Sequence, residues 1–388
     1  MQIQDLKAKY SQLFPQSDAP ICVAAPGRVN LLGEHTDYND GFVFPMAIDP
    51  HILYVGGRNG SSRVRVFSLD FSELDEFDLR EIEFSHQHRW ANYIRGVCAQ
   101  LLARGCDLQG MDIVLQGNIP QGGGLSSSAA LEVGAALLMN ELNGLGIDRV
   151  EMVKLSQKAE NKFVGVNCGI MDQFASMMGQ RDHALFLDCR SLEYELVRTG
   201  FEELGYSVVV IHSGVQRGLV DSEYNKRRSQ CEEAVELLRR DLPEIRALRD
   251  VSPQHLDLVN DLPGDLAKRA RHVVTENQRV LDGIAALRRG DLDLFGQLLN
   301  ASHESLRTDY EVSCPELDLL VELCRGIPGT LGSRMTGAGF GGCTVTITAE
   351  AQVKELKAWV AEEYPAKTGI TPKVYVFTAS DGARVLEC

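Results

Sequence analysis

The sequence predicts an α+β protein of two domains, and three observations support that prediction. The chain has 388 residues, about the length of two ordinary domains. Strand-like and helix-like stretches are mixed in the first half without the regular alternation typical of a doubly wound parallel sheet. A strand-like stretch at 207–212 then begins a region of long helical patterns. We therefore place the boundary near residue 200, within about twenty residues, giving predicted domains of 1–200 and 201–388.

Hydrophobic periodicity predicts the individual elements. Alternating or continuous apolar stretches predict strands, at 21–25, 64–69, 111–115, 207–212, 343–348 and 373–378. Apolar residues at helical spacing predict helices, at 90–102, 131–142, 150–163, 222–240, 266–287, 292–305 and 353–364.

Composition excludes several classes of protein. A net charge of −15 argues against nucleic acid or an anionic membrane as the main partner, because both attract basic surfaces. No stretch is long and apolar enough to predict a membrane span or a secretion signal. The ten cysteines are scattered and form no C-x-x-C pair, so we expect free buried thiols in the cytoplasm.

A glycine-rich stretch at 120–130 is the most informative motif. It stands between a predicted strand and a predicted helix, and it contains three consecutive glycines followed by Leu125 and three consecutive serines. Backbone N–H groups at the start of a helix bind anions, and glycines let the backbone approach a ligand closely. The stretch therefore predicts a polyphosphate site, although a flexible linker is the alternative. It is not a P-loop, because the chain contains no Gly-Lys pair.

Two further clusters are rich in polar side chains. The segment 26–39 contains an arginine, two carboxylates, a histidine and two carboxamides, which suits a polyhydroxylated ligand such as a sugar. A polar surface turn with a solvated His35 is the alternative. The segment 168–174 places Asp172 in the first turn of a predicted helix ending at Met178. Asp172 is then either an acceptor of a substrate proton or a helix-capping acid.

These motifs together resemble those of the GHMP small-molecule kinases, and of the galactokinases within that family. The segments 27–30 and 33–39 resemble the galactokinase signature, 122–128 resembles the ATP loop, and 334–342 resembles the third family motif. The departures are small: Leu32 stands where isoleucine is usual, and Ala338 where glycine is frequent. The resemblance implies an N-terminal α/β (S5-like) domain, a C-terminal ferredoxin-like α+β domain and an active site in the cleft between them.

The resemblance also implies roles for individual residues, which are carried over by position. The catalytic pair would be Asp172 and Arg28. Sugar contacts would come from Glu34, His35, Asp37, Gly169, Asp172 and Tyr224. ATP would be bound by Gly122, Gly123, Gly124, Leu125, Ser126, Ser127 and Ser128, with Trp90 near the adenine. Mg²⁺ would be bound by Ser128 and Glu160, although Glu160 without the resemblance would be assigned to a solvated helix face. A buried core tryptophan is the alternative for Trp90.

The implied reaction is transfer of the γ-phosphoryl group of ATP to the anomeric hydroxyl of α-D-galactose, with Mg²⁺ as cofactor. Galactose and ATP are the expected small-molecule partners, nucleic acid and membranes are not expected to bind, and a monomer or weak oligomer is expected. Two alternatives remain open. One is a non-catalytic galactose and ATP sensor, although such regulators lack part of the segment that is complete here at 126–130. The other is a kinase for a related sugar such as N-acetylgalactosamine.

Overall fold

The computed structural model describes residues 2–120, 123–215 and 220–387, and the side chains of 220 and 221 are not described. Twelve strands occur in this part of the chain: β1 Ile21–Leu32, β2 Phe42–Arg58, β3 Arg63–Ser68, β4 Glu73–Asp78, β5 Met111–Gly117, β6 His183–Asp188, β7 Tyr194–Arg198, β8 Tyr206–His212, β9 Thr330–Thr336, β10 Cys343–Ala349, β11 Lys373–Phe377 and β12 Arg384–Leu386.

Eleven α-helices occur in the same described ranges: α1 Ile3–Leu13, α2 Asn92–Ala103, α3 Ser127–Asn143, α4 Arg149–Ala159, α5 Met171–Met178, α6 Val220–Leu238, α7 Leu256–Asn260, α8 Asp265–Arg288, α9 Leu292–Thr308, α10 Pro315–Arg325 and α11 Val353–Thr368. A π-helical turn, Glu160–Val164, continues directly from α4. None of the helices in the described ranges has the length and apolar character needed to cross a membrane.

The described strands form two sheets. The first follows the order β12-β1-β2-β5-β3-β4, with β6 joined to β2 and β7 joined to β6. Its pairs are antiparallel except for the parallel pair of β3 and β5. Helices α2, α3, α4 and α5 pack on one another, and α3 and α5 contact β1 and β2. The glycine-rich loop, at the start of α3, is therefore fixed next to the long strand β1.

The second sheet has the order β11-β8-β10-β9, and all of its pairs are antiparallel. Taken in chain order, a strand, a helical region, two strands, a helix and a fourth strand give the ferredoxin-like arrangement. The predicted α+β class is therefore confirmed. The domain boundary stays a prediction: the sheets change between β7 and β8, but β12 returns to the first sheet and pairs with β1.

The structure differs from the sequence-based elements at two strands near the site. A strand was predicted only at 21–25, whereas β1 continues to Leu32 and is almost entirely buried. Strand β2, of 17 residues, was not predicted. Both strands are buried on most of their length, so the period-two alternation that identifies a half-exposed strand is absent. The polar signature at 27–39 therefore occupies a core strand and the turn that follows it.

The expectation of free cysteines is wrong at Cys22, which is disulfide-bonded. Cys98, Cys168 and Cys231 are among those that carry free thiols. Cys22 lies on β1 and is fully buried.

Candidate active site

Arg28 and Asp172 are in direct contact although 144 residues separate them in the chain. Arg28 Nε donates to Asp172 Oδ1 at 2.7 Å, and Nη2 donates to Oδ2 at 2.5 Å, which is a bidentate pair. Arg28 is on β1 and only 5% exposed, while the Asp172 side chain keeps 26% exposure towards a cavity. Asp172 lies in the first turn of α5, as the sequence predicted, where the positive end of the helix favours a carboxylate.

The glycine-rich loop meets this pair. Arg28 Nη1 donates to the carbonyl oxygen of Gly124 at 2.6 Å, and Ser126 Oγ donates to Asp172 Oδ2 at 2.5 Å. Ser126 precedes α3 with a left-handed backbone, φ 57°, and its side chain makes no capping hydrogen bond within α3. The Asp172 carboxylate therefore accepts hydrogen bonds from Arg28 and Ser126 and does not cap α5. The capping alternative is wrong.

The described part of the loop is consistent with an anion site. Ser127 and Ser128 form the first turn of α3 and, with Gly124 and Leu125, line the cavity. The N–H groups in the first turn of a helix have no partners within the helix and are free to bind phosphate oxygens. Gly123 lies against the second sheet, because a Cβ there would come within 3.2 Å of Cys343 Sγ. The predicted ligand Gly122 lies outside the described residues.

Glu34, His35 and Asp37 lie in the turn between β1 and β2, which we call the sugar turn (residues 33–39) after the ligand predicted for it from the sequence. Glu34 is 3% exposed, and its Oε2 accepts a hydrogen bond from Arg334 of β9 in the second sheet. Burial raises the pKa of Glu34 above its ordinary value, and the Arg334 guanidinium opposes that rise. The third family motif therefore contributes Arg334 to the support of the sugar turn.

His35 is buried and held by aromatic neighbours. Its Nδ1 lies 2.8 Å from Tyr38 Oη, and Tyr38 Oη lies 2.7 Å from Tyr310 Oη. The ring centroid of His35 is 5.7 Å from that of Tyr224. Burial lowers the pKa of His35 to about 3, so the imidazole is neutral at ordinary pH. Its Nε2 is buried as well. A solvated surface histidine is therefore excluded.

Asp37 and Gly169 approach each other closely. A Cβ at Gly169 would lie only 1.7 Å from Asp37 Oδ2, so any side chain at this position would displace the carboxylate. Burial, and then the negative charge of Asp172, raise the pKa of Asp37 to about 7. Both residues line the same cavity.

Glu160 lines the same cavity as Asp172. It begins the π-helical turn after α4 and is 5% exposed, so it is not on a solvated helix face. Its Oε2 accepts a hydrogen bond from Gln173 Nε2 at 2.7 Å and one from Cys168 Sγ at 3.2 Å. Burial raises its pKa, and hydrogen bonds from neutral side chains, including the Ser128 hydroxyl, partly oppose that rise.

One cavity of about 330 Å³ connects these groups. The predicted site residues on its wall are Arg28, Glu34, His35, Asp37, Gly124, Leu125, Ser126, Ser127, Ser128, Glu160, Gly169, Asp172 and Tyr224. Among the described residues, Trp90 is not part of this lining: its Nε1 donates to Glu73 at 2.8 Å, and its ring stacks on Phe71 with centroids 5.8 Å apart. The placement of Trp90 near an adenine stays a prediction.

Sequence reasoning missed several residues that support the site. Tyr38, Gln173 and Tyr310 contact predicted site residues but carried no signal of their own, because each is a single polar or aromatic residue inside a helix or turn pattern. Gly337 and Ala338 also line the cavity, and only the glycine cluster of the third motif could have indicated them.

Comparison with known families agrees with this geometry. The family model described as GHMP kinases N terminal domain matches residues 92–180, and that described as GHMP kinases C terminal matches 284–366. A mevalonate kinase from Methanococcus jannaschii, 17% identical, shares the fold with a TM-score of 0.67 over 93% of this chain and 99% of that one. Fold and site thus define the chain as a small-molecule kinase of the GHMP type.

Further matches identify one family within the GHMP kinases. The model described as galactokinase galactose-binding signature matches residues 8–58. A curated galactokinase from Roseiflexus sp. (strain RS-1) is 49% identical, covering 95% of this chain and 93% of that protein, and one from Chloroflexus aurantiacus is 48% identical, covering 98% and 97%. The crystal structure of Lactococcus lactis galactokinase complexed with galactose superposes with a TM-score of 0.94 at 38% identity, covering 99% and 100%. The chain belongs to the galactokinase family.

Proposed function

We propose that the protein transfers the γ-phosphoryl group of ATP to the anomeric hydroxyl of α-D-galactose, giving galactose 1-phosphate and ADP. The observation that carries the proposal is the contact of Asp172 with both Arg28 and Ser126. That contact joins the glycine-rich loop, at the start of α3, to a cavity that the side chains of the sugar turn also line. A phosphate site and a polyhydroxyl site therefore share one cavity, as a sugar kinase requires.

Asp172 is proposed to bind the reacting hydroxyl of the sugar. Its carboxylate accepts three hydrogen bonds, two from Arg28 and one from Ser126, and these fix the position of both carboxylate oxygens. A carboxylate held in this way orients the hydroxyl and takes its proton late in the transfer. Phosphoryl transfer has a loose transition state, for which positioning matters more than early proton removal.

Arg28 is proposed to act in two ways. Its guanidinium holds the Asp172 carboxylate at 2.5–2.7 Å and offsets its negative charge next to the phosphate oxygens. It also places positive charge where negative charge develops on the transferred group. The amides at the start of α3 would bind the remaining phosphate oxygens.

The sugar turn and Tyr224 are proposed to select the substrate. Carboxylates at Glu34 and Asp37 accept from sugar hydroxyls, and His35 lines the cavity beside them. An analogue that lacks the matching hydroxyl leaves a buried carboxylate oxygen without a partner, which disfavours its binding.

Ser128 and Glu160 fit a Mg²⁺ ion. Within the described residues, Glu160 is a buried carboxylate whose hydrogen-bond partners are neutral, so a cation beside it would compensate its burial. No cluster of three histidine, cysteine or acidic side chains suited to a metal occurs among those residues. The ion would thus complete its coordination with phosphate oxygens and water, as Mg²⁺ commonly does. When bound, it would neutralise charge on the terminal phosphates of ATP.

An assay of galactose-dependent ADP release, with the product identified by phosphorus NMR, tests the proposal. We expect ADP and a C1-phosphorylated sugar in equal amounts. ADP release without dependence on galactose would refute the proposal, and binding of galactose and ATP without turnover would favour a sensor. A panel containing N-acetylgalactosamine, 2-deoxygalactose and glucose distinguishes kinases for related sugars. We also propose a cytoplasmic monomer or weak oligomer, which analytical ultracentrifugation of the purified protein and cell fractionation would test.

A further inference from the structure

The sugar turn is attached to helix α8, which is distant from it in sequence. Glu276 of α8 is fully buried, and its Oε1 accepts hydrogen bonds from the backbone N–H of Gly33 at 2.9 Å and from that of Glu34 at 3.3 Å. The same oxygen accepts from Ser302 Oγ of α9 at 2.7 Å. Its Oε2 accepts from Arg279 Nε at 2.6 Å. The carboxylate therefore has partners for both oxygens.

The backbone of the turn is shaped for this contact. Gly33 has φ +90°, a conformation that strongly favours glycine, and the adjacent N–H groups of Gly33 and Glu34 converge on one point. Two such consecutive N–H groups form a concave anion site. Here the anion is a carboxylate of the protein itself, so the site serves to hold the turn rather than to bind a ligand.

A second contact with α8 holds the backbone of Glu34 through its carbonyl group. His272 is one helical turn before Glu276, on the same face of α8. Its Nε2 lies 3.0 Å from the carbonyl oxygen of Glu34, and its Nδ1 lies 2.9 Å from Ser305 Oγ. Since the carbonyl oxygen can only accept, Nε2 carries the proton and donates to it. Both peptide groups next to the Glu34 side chain are thus fixed by α8.

The end of the turn is fixed as well. Asn277, the neighbour of Glu276, accepts through Oδ1 from the backbone N–H of Phe42 at 2.8 Å. Helix α8 therefore holds the turn at its start and just after its end, while the side chains of Glu34, His35 and Asp37 between those points line the cavity.

We propose that Glu276 is a positioning residue for sugar recognition: by binding the amides of Gly33 and Glu34, it sets where the sugar-contacting side chains of the turn stand in the cavity. This inference rests on the proposed function. Among the described residues, α8 contributes no side chain to the cavity lining. Its proposed role is in the affinity for galactose and not in the affinity for ATP.

A steady-state comparison of full-length variants tests the inference. In Glu276→Gln a neutral amide replaces the charged carboxylate. Its NH₂ group can only donate, yet it faces N–H or O–H groups that donate to the carboxylate in the wild type. We expect the KM for galactose to rise about tenfold, equivalent to about 1.4 kcal/mol, with the KM for ATP changed by less than about twofold. The preference for galactose over 2-, 4- and 6-deoxygalactose should fall for at least one of the three analogues, since the side chains on the turn are displaced.

Two further variants keep the test decisive. Ser302→Ala removes one hydrogen bond from the carboxylate while leaving its charge, and it should raise the KM for galactose by about two- to threefold even if Glu276→Gln does not fold. Arg271→Gln is the matched control on α8, because Arg271 pairs with Asp309 and Asn260 instead of the turn. It should leave both KM values unchanged.

The outcomes separate a positioning role from general destabilisation. Equal losses for galactose and ATP, an unchanged KM for galactose in Glu276→Gln, or the same losses in Arg271→Gln would overturn the inference. A wild-type protein without galactose-dependent ADP release would instead refute the proposed function. In that case calorimetric dissociation constants for galactose, measured on the same variants, decide whether Glu276 positions the sugar turn.

Discussion

Galactose binding is expected to weaken about tenfold when the pH falls from 8 to 6, because Asp37 must lose a proton to accept hydrogen bonds from the sugar. Burial, followed by the nearby charge of Asp172, raises the pKa of Asp37 from 3.8 to about 7. At pH 6 the carboxyl is then about 90% protonated, and at pH 8 about 90% ionised. The direction is fixed by the raised pKa: the binding-competent form is lost as the pH falls through 7.

The magnitude follows from the same value. If only the ionised form binds, the KM for galactose is multiplied by about 11 at pH 6 and by about 1.1 at pH 8. Initial rates across this range, at saturating ATP, measure the change directly. Calorimetry in two buffers of different ionisation enthalpy provides a second measurement, because galactose binding at pH 7 should release about half a proton.

Two variants identify the group. Asp37→Asn cannot ionise, so its KM for galactose should be raised and independent of pH between 6 and 8. Asp40, three residues after Asp37, is partly exposed and pairs with Arg190. The variant Asp40→Asn should therefore keep the wild-type pH dependence. A flat wild-type profile, or the same slope in Asp37→Asn, would refute the reasoning.

Three other substitutions probe the remaining parts of the site. Asp172→Asn should retain ATP binding, measured by fluorescence titration, but lose at least about 10²-fold in turnover, and near-normal turnover would remove Asp172 from the catalytic role. Gly169→Ala should raise the KM for galactose at least tenfold with little change for ATP, since its Cβ would lie 1.7 Å from Asp37 Oδ2; a normal KM would mean that the carboxylate can move aside at no cost. Ser128→Ala should shift the Mg²⁺ dependence of the rate to higher concentration, and an identical titration would argue against ligation beside Glu160.

The sequence singled out three segments whose side chains line one cavity, since the glycine-rich loop, the polar signature and the segment at Asp172 are visible in local composition. It also located α5 correctly, because the helix begins at Met171 and ends at Met178. Periodicity failed at two strands: Pro45, Asp49 and Pro50 interrupt the apolar stretches of β2, and β1 extends through polar residues that are buried by their partners.

Long-range support could not be predicted. Glu276 and His272 look like ordinary polar positions on an amphipathic helix, and only the tertiary fold shows that they face the backbone of the sugar turn, more than 200 residues earlier. Arg334 was recognised within a motif, yet its partner Glu34 lies 300 residues away. Such contacts depend on how the two sheets meet, which local sequence patterns do not encode.

The ion pair between Arg334 and Glu34 has a consequence for how the protein unfolds. Arg334 is fully buried and also donates to the carbonyl oxygen of Leu31 at 2.7 Å, so one guanidinium fastens the last strand before the sugar turn to the second sheet. Leaving either charge buried without its partner costs about 3–5 kcal/mol. The two halves are therefore expected to melt together as one cooperative unit, and neither half, cut from the other near residue 200, would keep its native stability.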